Sequence, residues 1–536
     1  MILSCTDDFD GMNTPNDLVT GDLVDVNLIF TLVQVRSIKG GTPGGTGTYG
    51  NYSGMSYSGS NAPFIEGASS GEWNAAYNDY TNNLSEIIRL TKDDPDLINK
   101  TAIARIMRVW AFAKLTDTYG DIPYSESSLP ANEVIFSPKY DTQQSIYEDF
   151  FKELKEAAAD LNASLESYGS ADLVYGGDVS KWRKFANSLR LRLALRVRYA
   201  DEAMAVANMS DLQPSDLIMT RADDASMYTA TDSEDNQNSF YRSVLKDGAD
   251  LTKNSAGAMI INMKDINDPR IKIYADTAKA TFPGNNPSIE YFGYRGRPLL
   301  GSVPIEYKLP WAQETASRIS DLFYVPVIEV PIIRSSEVHF ALAEAALFNL
   351  KAGDAQTHFK QGMVDAMNWA KEFYENSKGQ LPDVLPLMYP DWTEDDIALL
   401  LSHKEITSEE SDAFLNSAAA TLLGSQEEQL EQIIVQKNIA LFPLEYQNWA
   451  EWRRTGYPIL LIGPDNDALK GVIPRRMGWP STEQTINSAN YTDAVSRLSG
   501  DGDSRLSKFW WDANPNVPYP WTGDPLPTQT QPYPEN

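Results

Sequence analysis

Cysteine is nearly absent from this chain of 536 residues: Cys5 is the only one, so no intrachain disulfide can form. None is needed, because at this length about three-quarters of the unfolded surface can be buried on folding. A cysteine nucleophile is also disfavoured, since the thiol stands four residues from the start. Histidine is scarce too. His339, His358 and His403 are too few and too scattered for a histidine-based metal centre, and His339 and Glu344 lie five apart where zinc-binding helices place ligands four apart. Basic residues are outnumbered, 45 Lys+Arg against 74 Asp+Glu, which leaves a formal charge of −29. That charge repels phosphate backbones and excludes a nucleic-acid partner. No apolar run approaches the roughly 20 residues of a membrane-spanning helix. No phosphate-binding glycine loop ending in Gly-Lys-Ser/Thr is present, and no cofactor is expected.

Helix signals dominate what is there. In Ile98 to Thr118, Ile103, Ile106, Met107, Trp110, Ala111 and Leu115 recur at spacings of three and four, the mark of one buried helical face, and Pro123 closes the stretch. Ser145 to Leu161 repeats the pattern. Ser335 to Glu372 reads as a helical hairpin with Gly353-Asp354 as its turn, and Glu427 to Arg454 as one long helix closed by Arg453-Arg454-Thr455-Gly456-Tyr457-Pro458. Strand signals are few and short, the best being Tyr324 to Ile328 and Ile271 to Tyr274. The chain is therefore expected to be mainly α, built of stacked helical hairpins with long loops and a few short strands.

Three stretches read as long loops rich in aromatic residues. Gly40 to Gly59 interleaves glycines with Tyr49, Tyr52 and Tyr57; Phe282 to Leu322 carries Tyr291, Tyr294, Arg295 and Trp311; the proline-rich tail from Asp512 to Asn536 holds Tyr519, Trp521 and Tyr533. Long loops in a compact domain commonly bind something. Their rings suit the apolar face of a sugar, with amide and hydroxyl neighbours for its hydroxyl groups. Tyr49, Tyr52, Tyr57, Tyr291, Tyr294 and Trp311 are thus candidate stacking residues, with Arg295 as a polar contact. By contrast Trp110 and Trp449, at helical spacing, read as core.

Among charged motifs, Thr393-Glu394-Asp395-Asp396 reads as a helix start with Thr393 as cap. Asp501-Gly502-Asp503 lacks the spaced acids and closing glutamate of a calcium loop. The run Leu189 to Arg198 alternates arginine with apolar residues inside helical flanks, so as a helix it must bury arginines in pairs with carboxylates. A helical glycosidase needs only two carboxyl groups about 5 to 9.5 Å apart, a separation that sequence does not carry.

Several strings stand in a telling order: Cys5-Thr6-Asp7-Asp8-Phe9-Asp10, Tyr119-Gly120-Asp121-Ile122-Pro123-Tyr124, Ala343-Glu344-Ala345 before Gly353-Asp354-Ala355, Gln436-Lys437, Arg453 to Pro458, Ile473-Pro474-Arg475-Arg476 and Trp510-Trp511-Asp512. In these the chain resembles the SusD/RagB family of Bacteroidetes outer-membrane lipoproteins. The resemblance implies tetratricopeptide-like helix pairs, residues 1–20 as a lipidated tether attached through Cys5, and residues 21–536 as a single helical domain. It implies a non-catalytic, surface-exposed protein that captures oligosaccharides, or peptides in some members, for a SusC-like TonB-dependent transporter. It transfers no ligand residue.

Overall fold

The structure, a computed structural model, describes residues 25–39, 66–130, 133–233, 236–245, 258–277, 293–294, 317–458, 475–499, 502–504 and 507–517. Polar residues at the helix start, Thr142, Asp178, Asp354 and Ser425, set the boundaries of four of the main elements. Helix α1 (Val26–Lys39) is succeeded by a rod made of α2 (Glu66–Ala75), a π-helical turn (Ala76–Thr81) and α3 (Asn82–Thr91). Next comes α4 (Ile98–Tyr119), then α5 (Gln143–Asp160), where Thr142 accepts the Ser145 N–H at 3.3 Å. In α6 (Val179–Val197) Asp178 caps the first turn, accepting the Ser180 N–H at 2.9 Å. Such caps satisfy amides that the helix itself leaves unpaired.

Further along lie α7 (Ser335–Leu347), α8 (Ala355–Lys378), α9 (Gln426–Ala440), α10 (Glu445–Thr455), α11 (Ser481–Ile486) and α12 (Ser488–Arg497). Consecutive helices from α3 to α6 pack pairwise, as do α7 with α8 and α9. One core cluster runs from Phe30 to Trp511, so the hairpins share a single interior. The expected mainly helical fold is what the chain adopts. The α7–α8 hairpin turns at Gly353-Asp354 as expected, and Thr393 caps its helix in a reciprocal pair with Asp396. Trp449 is fully buried, whereas Trp110 is half-buried.

Three expectations fail for local reasons. Glu427 to Arg454 is two helices, because Pro443 has no N–H to continue the first. Ile271 to Tyr274 is a helical turn, opened by Asp268, whose Oδ1 accepts the Arg270 N–H at 3.0 Å. Tyr324 to Ile328 leads into a strand without forming it, because the backbone bends over residues 324–327. The strand is β2 (Glu329–Ile333), antiparallel to β1 (Ala225–Tyr228), with Met227 opposite Val330.

The arginine run on α6 is helical and its charges are buried. Arg192 grips Glu337 on α7 with two bonds of 2.7 Å; Arg196 reaches Asp117 at 2.6 Å and Glu451 at 3.3 Å; Arg198 reaches Glu344 at 2.9 Å. Arg454 on α10 then bridges Glu344 and Glu451, and Lys437 on α9 adds a contact to Glu451 at 3.1 Å. Burial pushes the Glu451 carboxyl up, but Arg454, Lys437 and Arg196 overcome it and hold the group well below the usual carboxylate range. Glu344 of Ala343-Glu344-Ala345, Lys437 of Gln436-Lys437 and Arg454 of the Arg453 to Pro458 string therefore meet in one buried ionic cluster, where their role is structural.

Candidate functional site

The rod α2–π turn–α3 carries the polar wall of a surface cleft that combines rings with amides. Asn74, Asn78 and Asn82 recur at intervals of four, all exposed, and none is held by another group among the described residues. A π-helical turn is rare and frequent at functional sites, because an inserted residue re-aims the side chains around it. The rod is fixed from behind by Glu72. That carboxylate meets Lys114 at 2.8 Å and accepts the hydroxyls of Tyr80 at 2.9 Å and Tyr446 at 3.0 Å. Burial would raise the Glu72 carboxyl, but Lys114 and the two hydroxyls hold it below the usual range.

Trp73 and Tyr77 form the floor, their rings edge to face at 5.1 Å, with the Tyr77 hydroxyl donating to the Pro123 carbonyl at 2.6 Å. Val134-Ile135-Phe136 also lines the cleft. Phe136 is 89% exposed, an unusual position for a ring that size. This wall is clipped to α11 and α12: Asn487 Nδ2 donates to the Pro138 carbonyl at 2.8 Å and Asn490 Nδ2 to the Ser137 carbonyl at 2.9 Å. The third side is Glu126 to Leu129. There Ser128 sits at φ 58°, a left-handed conformation costly for a residue other than glycine, and its hydroxyl lies 3.4 Å from Thr81 at the end of the π turn. Two backbone irregularities thus meet beside a cleft of about 300 Å³.

Such a cleft offers a flat apolar ring and amides that both donate and accept, the chemistry that holds a polyhydroxylated ring with one apolar face. An internal cavity beside Trp110, Leu193, Val330 and Tyr446 measures about 90 Å³, below the roughly 300 to 1,000 Å³ of ligand sites. Among the described residues no cluster of His, Cys, Asp and Glu could hold a metal ion, and no helix is long and apolar enough to cross a membrane.

Of the residues expected from the sequence, Cys5, Tyr49, Tyr52, Tyr57, Tyr291, Arg295 and Trp311 lie outside the described residues. Tyr294 is described. It is half-buried against the core, its hydroxyl pushed up by burial with Asp276 and Glu410 beside it, and it does not line the cleft. Sequence reasoning does not single out the cleft residues. The signal that could find them is the doublet Trp73-Asn74 repeated as Tyr77-Asn78, with Asn82 four further on.

Comparison with known proteins points the same way. A SusD-like family described as "Starch-binding associating with outer membrane" matches residues 56–480. No curated protein matches the chain. Among solved structures, a chitin-binding protein aligns at TM-score 0.72 and 26% identity, covering 91% of this chain and 100% of its own. A SusD homologue from Bacteroides uniformis aligns at TM-score 0.68 and 28% identity, covering 93% and 100%. A chitin-binding SusD homologue from Flavobacterium johnsoniae shares the fold at TM-score 0.67 and 22% identity, covering 91% and 97%.

Proposed function

Because the chain belongs to the SusD-like family, we propose that it is a cell-surface lipoprotein that captures oligosaccharides and passes them to a SusC-like TonB-dependent transporter. The observation that carries the glycan reading is Phe136, 89% exposed and lining the same cleft as Asn74, Asn78 and Asn82. A sugar stacked on that ring presents its hydroxyl groups to a cleft that also carries those amides. The chitin-binding relative makes chito-oligosaccharides the first ligands to try, and the family's description adds malto-oligosaccharides.

The reading is of a binding protein and not a glycosidase. The carboxylates that line the cleft have structural partners: Glu126 accepts the Lys139 N–H at 2.9 Å, and Glu483 accepts the Tyr140 hydroxyl at 2.7 Å. Attachment through a lipid on Cys5 belongs to the same proposal. Cys5→Ala is expected to move the protein from the membrane fraction to the soluble one, and retention on the membrane would refute it.

Calorimetric titration with chito-oligosaccharides, malto-oligosaccharides and a set of short peptides tests the ligand class. At least one oligosaccharide series should bind, and Phe136→Ala should weaken it about five- to tenfold, the range of one ring contact. Binding of peptides alone, or unchanged affinity in Phe136→Ala, would overturn the reading.

A further inference from the structure

On the far side of the Glu126 to Leu129 wall lies a second hollow of about 540 Å³, and Ser127, Ser128 and Leu129 line both. The two hollows are neighbouring compartments of one groove. The second has a different chemistry, since its floor carries Arg105 and Arg108, one turn apart on α4.

These two arginines are not equivalent. Arg105 is saturated: it meets Glu153 at 2.8 Å, Glu156 at 2.6 Å and Asp160 at 3.0 Å. Arg108 gives its Nε to Ser85 Oγ at 3.1 Å and lies 5.0 Å from the ring centres of both Phe112 and Tyr124. Among the described residues it has no carboxylate within ion-pair distance, and its two terminal nitrogens have no acceptor. Carboxylates are in surplus in this chain, 74 against 45 cations, so an unpaired, half-buried guanidinium is a departure that the composition does not explain. Lys92, exposed on the rim, also lacks an ion pair among the described residues. Of the acids lining the hollow, Glu153 and Asp160 pair with Arg105, Glu153 also feels the charge of Arg108 from beyond ion-pair distance, and Asp94 accepts the Asp96 N–H at 2.9 Å.

We infer that the second hollow is a subsite for an anionic substituent, a carboxylate or sulfate ester, on the glycan held in the first cleft, with the open fork of Arg108 as its anchor. The inference rests on the glycan reading. A guanidinium tied at its Nε to Ser85 and packed beside two rings keeps its planar fork of terminal nitrogens free for a ligand, and that fork matches two oxygens of an oxyanion better than it matches lone hydroxyl groups. The formal charge of −29 sets a limit on the ligand. A polyanion would be repelled by the molecule as a whole, so the fitting glycan carries isolated charges along an otherwise neutral chain.

The test is calorimetry on the full chain with three matched oligosaccharides: neutral, uronate-bearing and sulfate-bearing. The wild type should bind one charged member about tenfold tighter than the neutral one, the yield of one charge-assisted pair, and the preferred member identifies the substituent. Arg108→Met should make charged and neutral ligands bind alike, whereas Arg108→Lys should keep part of the preference. Equal binding of all three by the wild type, or a preference that survives in Arg108→Met, overturns the inference while leaving the glycan reading intact. Failure of all three to bind overturns both.

Discussion

Asp224 accepts the Ser335 N–H at 2.6 Å and lies 3.2 Å from Arg221, yet burial pushes its carboxyl up to about 7. In the unfolded chain the same group titrates near 4. Between those values the folded state holds a proton that the unfolded chain has released. The stability from this site is therefore full below about pH 4 and is lost as pH rises to about 7. Asp224→Asn should remove that loss, so its stability should rise relative to wild type across pH 4 to 7 in urea denaturation; parallel curves would contradict the assignment. The same dependence on burial limits what the sequence reveals of the site. Trp73 and Tyr77 stand at helical spacing, which reads as core, and Phe136 comes after Val134 and Ile135, which reads as an apolar run. Whether a ring faces a cleft is decided by what packs around it, and that information is not local.

Elements are legible where a local residue dictates the backbone. Thr393 begins a helix because its hydroxyl and the Asp396 carboxylate satisfy each other's amides, and Gly353-Asp354 turns the α7–α8 hairpin because Asp354 caps the first turn of α8. Pro443 is as local a signal, but it sits inside a stretch whose apolar periodicity continues on both sides, and that periodicity masks the break between α9 and α10. The π turn has no such signal, so the polar wall of the cleft shows in the sequence only as asparagines spaced by four. The buried arginines of α6 are foreseeable because a helix with apolar residues over most of its circumference has no outward face to give them. How strongly those elements depend on one another can be measured at Arg454, which joins α10 to Glu344 on α7. Arg454→Met leaves Glu344 and Glu451 buried with one cation fewer and should cost about 3–5 kcal/mol by denaturant titration. A loss below about 1 kcal/mol, the scale of an exposed pair, would show that the cluster does not hold the hairpins together.

At the scale of the molecule, the ionic cluster and the cleft divide the chain's polar residues between two tasks. Asp117, Glu337, Glu344 and Glu451 close the interior against Arg192, Arg196, Arg198 and Arg454, joining α4, α6, α7 and α10. Asn74, Asn78 and Asn82 remain open to solvent on a rod that Glu72 pins in place. A rigid helical body with an exposed amide wall and an exposed ring is the arrangement expected of a protein that receives a ligand without reshaping itself. The most direct test is a crystal structure with a bound oligosaccharide. A sugar ring stacked on Phe136, with hydroxyl or acetamido groups bonded to Asn74 or Asn78, is the predicted result; a ligand seated elsewhere, with this cleft empty, would contradict the account.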